Sequence, residues 1–242
     1  MTVHLVGAGP GDPGLITARG LDLIRRCDAL VYDRLVAREL VAEAPEQALR
    51  FPRAHLDQEQ VNELLVRLGR RGLEVVRLKG GDPYVFGRGA EECLALAQAG
   101  IPYDVVPGVS SLASVPAAAG IPVTHRGVAD RVTLATGHAA DGSEPDYEAL
   151  ARAGGTLVLF MALDRLERVA AGLVGAGLAP STPAAVISRG TRPDQQVAFA
   201  PLGRIVGAAA ELHGPALVVV GETVALAAVL AAGAVEAAAV AA

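Results

Sequence analysis

Arg77-Leu78-Lys79-Gly80-Gly81-Asp82-Pro83-Tyr84-Val85-Phe86-Gly87-Arg88-Gly89 is the stretch on which the reading of this chain turns. It opens as the end of an apolar strand, Leu73–Leu78, and breaks at once into two glycines, an aspartate and a proline. Adjacent glycines admit φ > 0 and carry no Cβ, so bare main chain can face a ligand. Pro83 sets its own φ and biases Asp82 away from helical geometry. Asp82 is thereby a fixed carboxylate at the carboxyl end of a strand, where open α/β sheets bind their ligands. A connecting turn needs only one glycine, so the pair reads as a binding loop.

Short β-branched runs alternate with helical periodicity on both sides of this loop. Strands are expected at Val3–Val6, Ala29–Tyr32, Leu73–Leu78 and Tyr103–Val106, with helices at Leu15–Arg26, Gln58–Arg71 and Gly89–Ala99. Such alternation implies crossover units and a largely parallel sheet. After Pro107-Gly108 the pattern changes to a helix, Ser111–Ala119, and strands near Arg131–Thr136, Thr156–Phe160, Ala184–Ser188, Gln196–Ala200 and Ala216–Val220. The turn signals in Ser188–Asp194 point to antiparallel pairing there. The fold class is therefore α/β, with a boundary near residues 107–122: an N-terminal α/β domain over 1–110 and a C-terminal α/β domain with a mixed sheet over 111–242.

Bulk properties exclude several function classes. The 242 residues carry a net charge of −5 without long blocks of one sign, which argues against nonspecific nucleic-acid or membrane-surface binding. Tryptophan is absent and aromatics are 3%, too few for stacking platforms. Cys27 and Cys93, the two cysteines, are far apart and read as reduced thiols of a cytoplasmic protein, not as a disulfide framework or zinc site. No basic, apolar leader precedes the first strand. The alanine-rich tail from Thr223, interrupted by Gly233 and Glu236, reads as a soluble helix. His125 and His138 lack metal-ligand spacing, so no metal is expected.

Gly9-Pro10-Gly11-Asp12-Pro13-Gly14 satisfies the dinucleotide pattern G-x-G-x-x-G, and Asp33 ends the second strand about 20 residues later. A nicotinamide-dependent oxidoreductase is the rival enzyme class. Pro10 and Pro13, however, each remove a main-chain donor that a pyrophosphate would need. Asp33 is either a helix-capping residue or a carboxylate that accepts a proton from a carbon acid or orients a pyrrole N–H. Ser110 and Ser111 cap the helix that follows, and Met161 by default fills core space.

Five ordered motifs resemble the tetrapyrrole methylase family: Val6–Thr17, Val31-Tyr32-Asp33-Arg34-Leu35-Val36, Gly80-Gly81-Asp82-Pro83 with Phe86-Gly87-Arg88-Gly89, Val106-Pro107-Gly108-Val109-Ser110-Ser111, and Gly120–Arg126. The likeness runs from Val3 to about Gly221. It implies two α/β domains with the active site in the cleft between them, a homodimer, and methyl transfer from S-adenosylmethionine to carbon. The acceptor implied is uroporphyrinogen III, methylated twice to precorrin-2. A methylase acting on a later corrin intermediate, and a noncatalytic tetrapyrrole-binding module, are the alternatives. By the same resemblance Asp33 is the catalytic carboxylate. Pro10, Gly80, Gly81, Asp82, Val85, Ser110, Ser111, Met161, Gly190 and Ala216 contact the cofactor. Arg34, Arg88, Arg126 and Arg131 are expected to hold the acceptor's carboxylates, since guanidinium forks bind them bidentately. The chain departs from the family between the second strand and the Gln58 helix. A longer Gly-Lys-Arg-x-Gly-like loop, whose lysine donates a proton in relatives, is replaced by Arg50–Asp57. The sole lysine is Lys79, so either His55 or Arg53 substitutes, or the role is dispensable, or the substrate differs.

Overall fold

The structure is a computed structural model and describes residues 2–137 and 142–231. By contacts the chain divides into two compact units, Met1–Ser111 and Leu112–Ala242.

Five strands of the first unit form one parallel sheet: β1 (Val3–Gly7), β2 (Ala29–Tyr32), β3 (Leu49–Pro52), β4 (Val75–Lys79) and β5 (Tyr103–Val106), in the order β3-β2-β4-β1-β5. Four helices connect them: α1 (Ala18–Arg26), α2 (Arg38–Ala42), α3 (Gln58–Arg70) and α4 (Gly89–Gln98). Side chains alternate between the faces of a strand, and the two faces bury against different helices. Val6, Val76 and Leu78 pack with Leu23, Ile24 and Leu40 of α1 and α2. Val3, Leu5, Val31 and Val75 pack with Val61, Leu64, Leu65 and Leu96 of α3 and α4. The chain thus leaves β1 toward one face and the neighbouring β4 toward the other. That divergence is the topological switch point, where the carboxyl ends of adjacent strands open a crevice.

α1 begins three residues later than its periodicity predicts. Pro13–Leu15 form a 3-10 turn, and the Thr17 side chain accepts the Gly20 N–H (3.1 Å), capping the helix there. α3 starts where Asp57 and Gln60 form a reciprocal capping box. β3 and α2 are not foreseen from sequence. β3 is a mostly exposed edge strand ending in Pro52, so it lacks the apolar alternation that marks a strand.

In the second unit, α5 (Ser111–Ala118) precedes β6 (Val132–Thr136), α6 (Tyr147–Ala153), β7 (Thr156–Phe160), α7 (Leu166–Gly175), β8 (Pro183–Ser188), β9 (Gln196–Pro201), α8 (Ile205–Ala208) and β10 (Ala216–Val220). The sheet order is β6-β7-β10-β8-β9; β6 and β7 are parallel and the other pairs antiparallel. One face packs on Leu166, Val169, Leu173 and Ile205, the other on Val115, Ile121 and Val224. Both cysteines are buried thiols. Burial pushes Cys27 up to about 11 and raises Cys93 also, which makes both poor nucleophiles. Among the described residues no helix is long and apolar enough to cross a membrane. Most of the alanine-rich tail and His138 lie outside the described residues.

At the amino ends of β1, β4 and β5 the ring of His4 lies between Glu74 (2.5 Å) and Asp104. The hydrogen bond from His4 is the largest influence lowering the Glu74 carboxyl below its usual range. A depressed carboxyl contributes stability above its unfolded value and loses it as pH falls through the folded value. Glu74→Gln is therefore expected to lower the melting temperature at neutral pH, with the gap to wild type closing below about pH 4. Thermal melts of both proteins between pH 7 and 3 check this; a gap independent of pH would contradict it.

Candidate functional site

Three glycines build the crevice at the ends of β1, β4 and β5. A Cβ at Gly108 would lie 2.2 Å from the Gly81 carbonyl oxygen and 2.7 Å from the Gly7 Cα, so the three main chains touch directly. The turn after β4 is also stitched to the turn after β1: Gly9 and Gly81 exchange main-chain hydrogen bonds of 3.3 and 2.7 Å, with Gly81 at φ +66°. Gly80 differs from Gly7 and Gly108. A Cβ there would meet only the Leu35 Cβ, at 3.6 Å, so one side of its main chain is open.

Asp82 holds this arrangement together. Its Oδ1 accepts the Tyr84 N–H (2.8 Å) and its Oδ2 the Gly108 N–H (3.0 Å), tying the β4 loop to the β5 loop. Both oxygens serve the main chain, so Asp82 shapes the loop first of all. Beyond it Phe86 and Arg88 adopt left-handed φ of 51° and 57°, unusual for residues with side chains and a feature that clusters at ligand sites. Val85, Pro10, Ser110 and Ser111 are part-exposed residues of the loops around the crevice. The Gly9–Gly14 loop does not lead into a helix. It runs into the 3-10 turn, and in α1 the Gly20 N–H is already taken by the Thr17 side chain. The geometry a pyrophosphate needs is missing, so the dinucleotide pattern is formal only.

Asp33 follows β2 at the same end of the sheet and is tied there by its N–H to the Leu78 carbonyl (3.2 Å). Its side chain is 20% exposed, and Oδ1 accepts from Arg77 Nη2 at 2.6 Å. Arg77 is wholly buried on the central strand β4, which no motif had singled out. Its Nε lies 3.1 Å and its Nη2 3.0 Å from Glu92 Oε1 on α4. Lys79 Nζ donates to the same oxygen (2.8 Å), and Gln58 on α3 does so at 3.3 Å. Burial, reinforced by Arg77, lowers the Lys79 ammonium below its ordinary value, with Glu92 opposing. Arg53 completes the cluster, 3.9 Å from Asp33 Oδ1 and bonded to Gln58 (3.2 Å). The lysine that stands out in the sequence is thus an interior residue. The His55 side chain lies outside the described residues.

In the second unit the register brings three expected residues to one sheet edge. Leu217 pairs with Phe160 and Ala216 with Ser188, so Met161 after β7, Gly190 after β8 and Ala216 at the start of β10 are neighbours in the sheet order. Met161 is 49% exposed at φ +52°, and Arg189 and Thr191 flank Gly190 at φ +51° and +68°. A Cβ on Gly190 would meet the Val115 side chain at 2.5 Å, so only glycine keeps that turn close to α5. Of the four arginines expected to bind an anionic acceptor, Arg88 is held in a fork by Glu91 (2.8 and 2.6 Å) and Arg131 by Asp130 (3.0 Å). Arg34 and Arg126 are exposed and make neither hydrogen bond nor ion pair among the described residues. No group of three or more metal-ligating side chains occurs among the described residues.

Residues 2–206 match the family described as Tetrapyrrole (Corrin/Porphyrin) Methylases. The chain belongs to this family. Siroheme synthase 1 of Yersinia enterocolitica is 48% identical over 229 residues, covering 92% of this chain and 48% of that protein. Siroheme synthase of Hydrogenovibrio crunogenus is 43% identical over 231 residues, again 92% of this chain and 49% of the relative. The chain spans about half the length of the curated relatives it matches. Among solved structures, uroporphyrin-III C-methyl transferase from Thermus thermophilus complexed with S-adenyl homocysteine superposes with a TM-score of 0.84 at 39% identity, covering 93% of this chain and all of that one. A cobalt precorrin-4 methyltransferase gives 0.85 at 28% identity, over 92% of this chain and 95% of that one. The two-domain α/β fold expected from sequence is therefore that of the tetrapyrrole methylases.

The glycines of the first unit predict separable effects. Gly108→Ala forces main chain against main chain and is expected to destabilise by about 1–3 kcal/mol, whereas Gly80→Ala is expected to stay within about 0.5 kcal/mol of wild type. Equilibrium denaturation of the two variants checks the contrast; equal losses would contradict it.

Proposed function

We propose that the chain catalyses S-adenosylmethionine-dependent C-methylation of uroporphyrinogen III, in two transfers that yield precorrin-2. The observation that carries this reading is the open main chain of Gly80 between the β1 and β4 loops. A Cβ there would meet only the Leu35 Cβ, at 3.6 Å, beside the close main-chain contact of Gly7 with Gly108. That suits the amino-acid and ribose portion of the cofactor, with Gly81, Pro10, Val85, Ser110 and Ser111 around it. The apolar, half-exposed Met161, with Gly190 and Ala216 beside it in the sheet order, suits the adenine. When bound, S-adenosylmethionine supplies an electrophilic sulfonium methyl group.

The protein's part is mostly alignment and exclusion of water. An electron-rich pyrrole carbon acquires the methyl, and Asp33 accepts the proton released or holds the pyrrole N–H. Arg34 and Arg126 receive acceptor carboxylates directly. Arg88 and Arg131 do so by exchanging exposed partners, an exchange that solvent makes easy. The net charge of −5 gives no long-range attraction for a polycarboxylate, so recognition is short-range. The sequence departure at Arg50–Asp57 leaves Arg53 3.9 Å from Asp33 Oδ1, and an arginine does not release its proton. Arg53 is a charge partner in this reading, not the proton donor that the family's loop lysine is.

Calorimetric titration with S-adenosylhomocysteine tests the site. Wild type is expected to bind, and Gly80→Ala to bind at least about 10-fold more weakly with unchanged melting, since its Cβ covers the shelf. Equal affinities for the two proteins would sink this placement, and reduced dinucleotide binding in place of S-adenosylhomocysteine would overturn the function.

A further inference from the structure

On the face of β4 turned toward α3 and α4, Val75 packs in the apolar core, while the next two residues on that face are Arg77 and Lys79. Asp33 continues the same face of β2 beyond Ala29 and Val31. The apolar layer therefore gives way, toward the carboxyl ends of the strands, to an ionic one in which Arg77 and Glu92 have no exposure and Lys79 1%. Taking charges out of water is costly, and apolar residues of similar volume are often as stable or more so. Folding alone does not call for this layer.

Its wiring points toward Asp33. Glu92 Oε1 receives Arg77, Lys79 and Gln58, while Glu92 Oε2 has no partner among the described residues. Arg77 Nη1 is fixed on the Leu78 carbonyl (3.1 Å), and Nη2 is shared between Glu92 and Asp33. A guanidinium clamped by its Nε and Nη1 offers Nη2 in one position only. Asp33 Oδ1 is pinned there, and Oδ2 has no partner among the described residues.

We propose that Arg77 is the positioning residue of the reaction: held by Glu92 and the Leu78 carbonyl, it fixes Asp33 so that one carboxylate oxygen faces the acceptor. Lys79 completes the charge balance of Glu92, which would otherwise hold Arg77 as a private partner and release Asp33. This rests on the reading of Asp33 as the catalytic carboxylate.

The test is a double-mutant cycle on kcat for methyl transfer to uroporphyrinogen III, with S-adenosylhomocysteine affinity measured for every variant. Arg77→Met is expected to lower kcat on the order of 100-fold, the scale of a small misplacement of a catalytic group, with KM and S-adenosylhomocysteine affinity unchanged. In an Asp33→Asn background the same substitution is expected to change kcat by less than about 2-fold, because a residue acting only through Asp33 has nothing left to position. Arg77→Lys, which keeps the charge but not the fork, is expected to fall between and serves if the methionine variant does not fold. Full kcat in either Arg77 variant, or losses that multiply across the cycle, would overturn the proposal. Full turnover by Asp33→Asn, with S-adenosylhomocysteine still bound, would instead overturn the role of Asp33.

Discussion

The contact among Gly7, Gly81 and Gly108 is the constraint on which the rest of the first unit's site depends. At three neighbouring strand ends the backbones meet, with no room for a Cβ on Gly7 or Gly108, both of which press on the Gly81 carbonyl. That contact fixes where the β1, β4 and β5 loops leave the sheet, and Asp82 locks the arrangement by accepting from one N–H on each side of it. A binding shelf made of main chain has no side-chain entropy to lose when a ligand arrives.

The second constraint is electrostatic. Parallel sheets are normally apolar on both faces, and β4 obeys that rule at Val75, Val76 and Leu78 but not at Arg77 or Lys79. The exception is coherent because Glu92, Gln58 and Asp33 come from α4, α3 and β2 to meet the two cations. Shape and charge thus meet at one end of one sheet. The loops supply a rigid shelf and the strands supply an oriented carboxylate.

Much of this was readable in the residues. The switch from strand to Gly80-Gly81-Asp82-Pro83 announces the loop because it uses residues whose backbone preferences are extreme. The strands of the second unit were visible as β-branched runs, and the Ser188–Asp194 turn does join an antiparallel pair, β8 and β9. The exposed strand β3 and short helix α2 were not visible, since neither presents a long periodic apolar face. Nor was the ionic layer. Val75-Val76-Arg77-Leu78-Lys79 alternates as a half-exposed strand would, and nothing local says that α3 and α4 bury the polar side. Glu92 sits in a helix beside Glu91, yet Glu91 is exposed on Arg88 while Glu92 is wholly buried. The family resemblance makes Asp82 a cofactor contact, while its work in fastening two loops depends on Gly108, 26 residues away.

The account stands on the claim that this chain moves a methyl group from S-adenosylmethionine to a tetrapyrrole carbon. Anaerobic incubation with methyl-labelled S-adenosylmethionine and uroporphyrinogen III, followed by mass spectrometry of the tetrapyrrole, tests it directly. Label is expected in the tetrapyrrole, accumulating to two methyl groups, with S-adenosylhomocysteine formed in step. Unlabelled uroporphyrinogen III recovered from protein that still binds S-adenosylhomocysteine would contradict it.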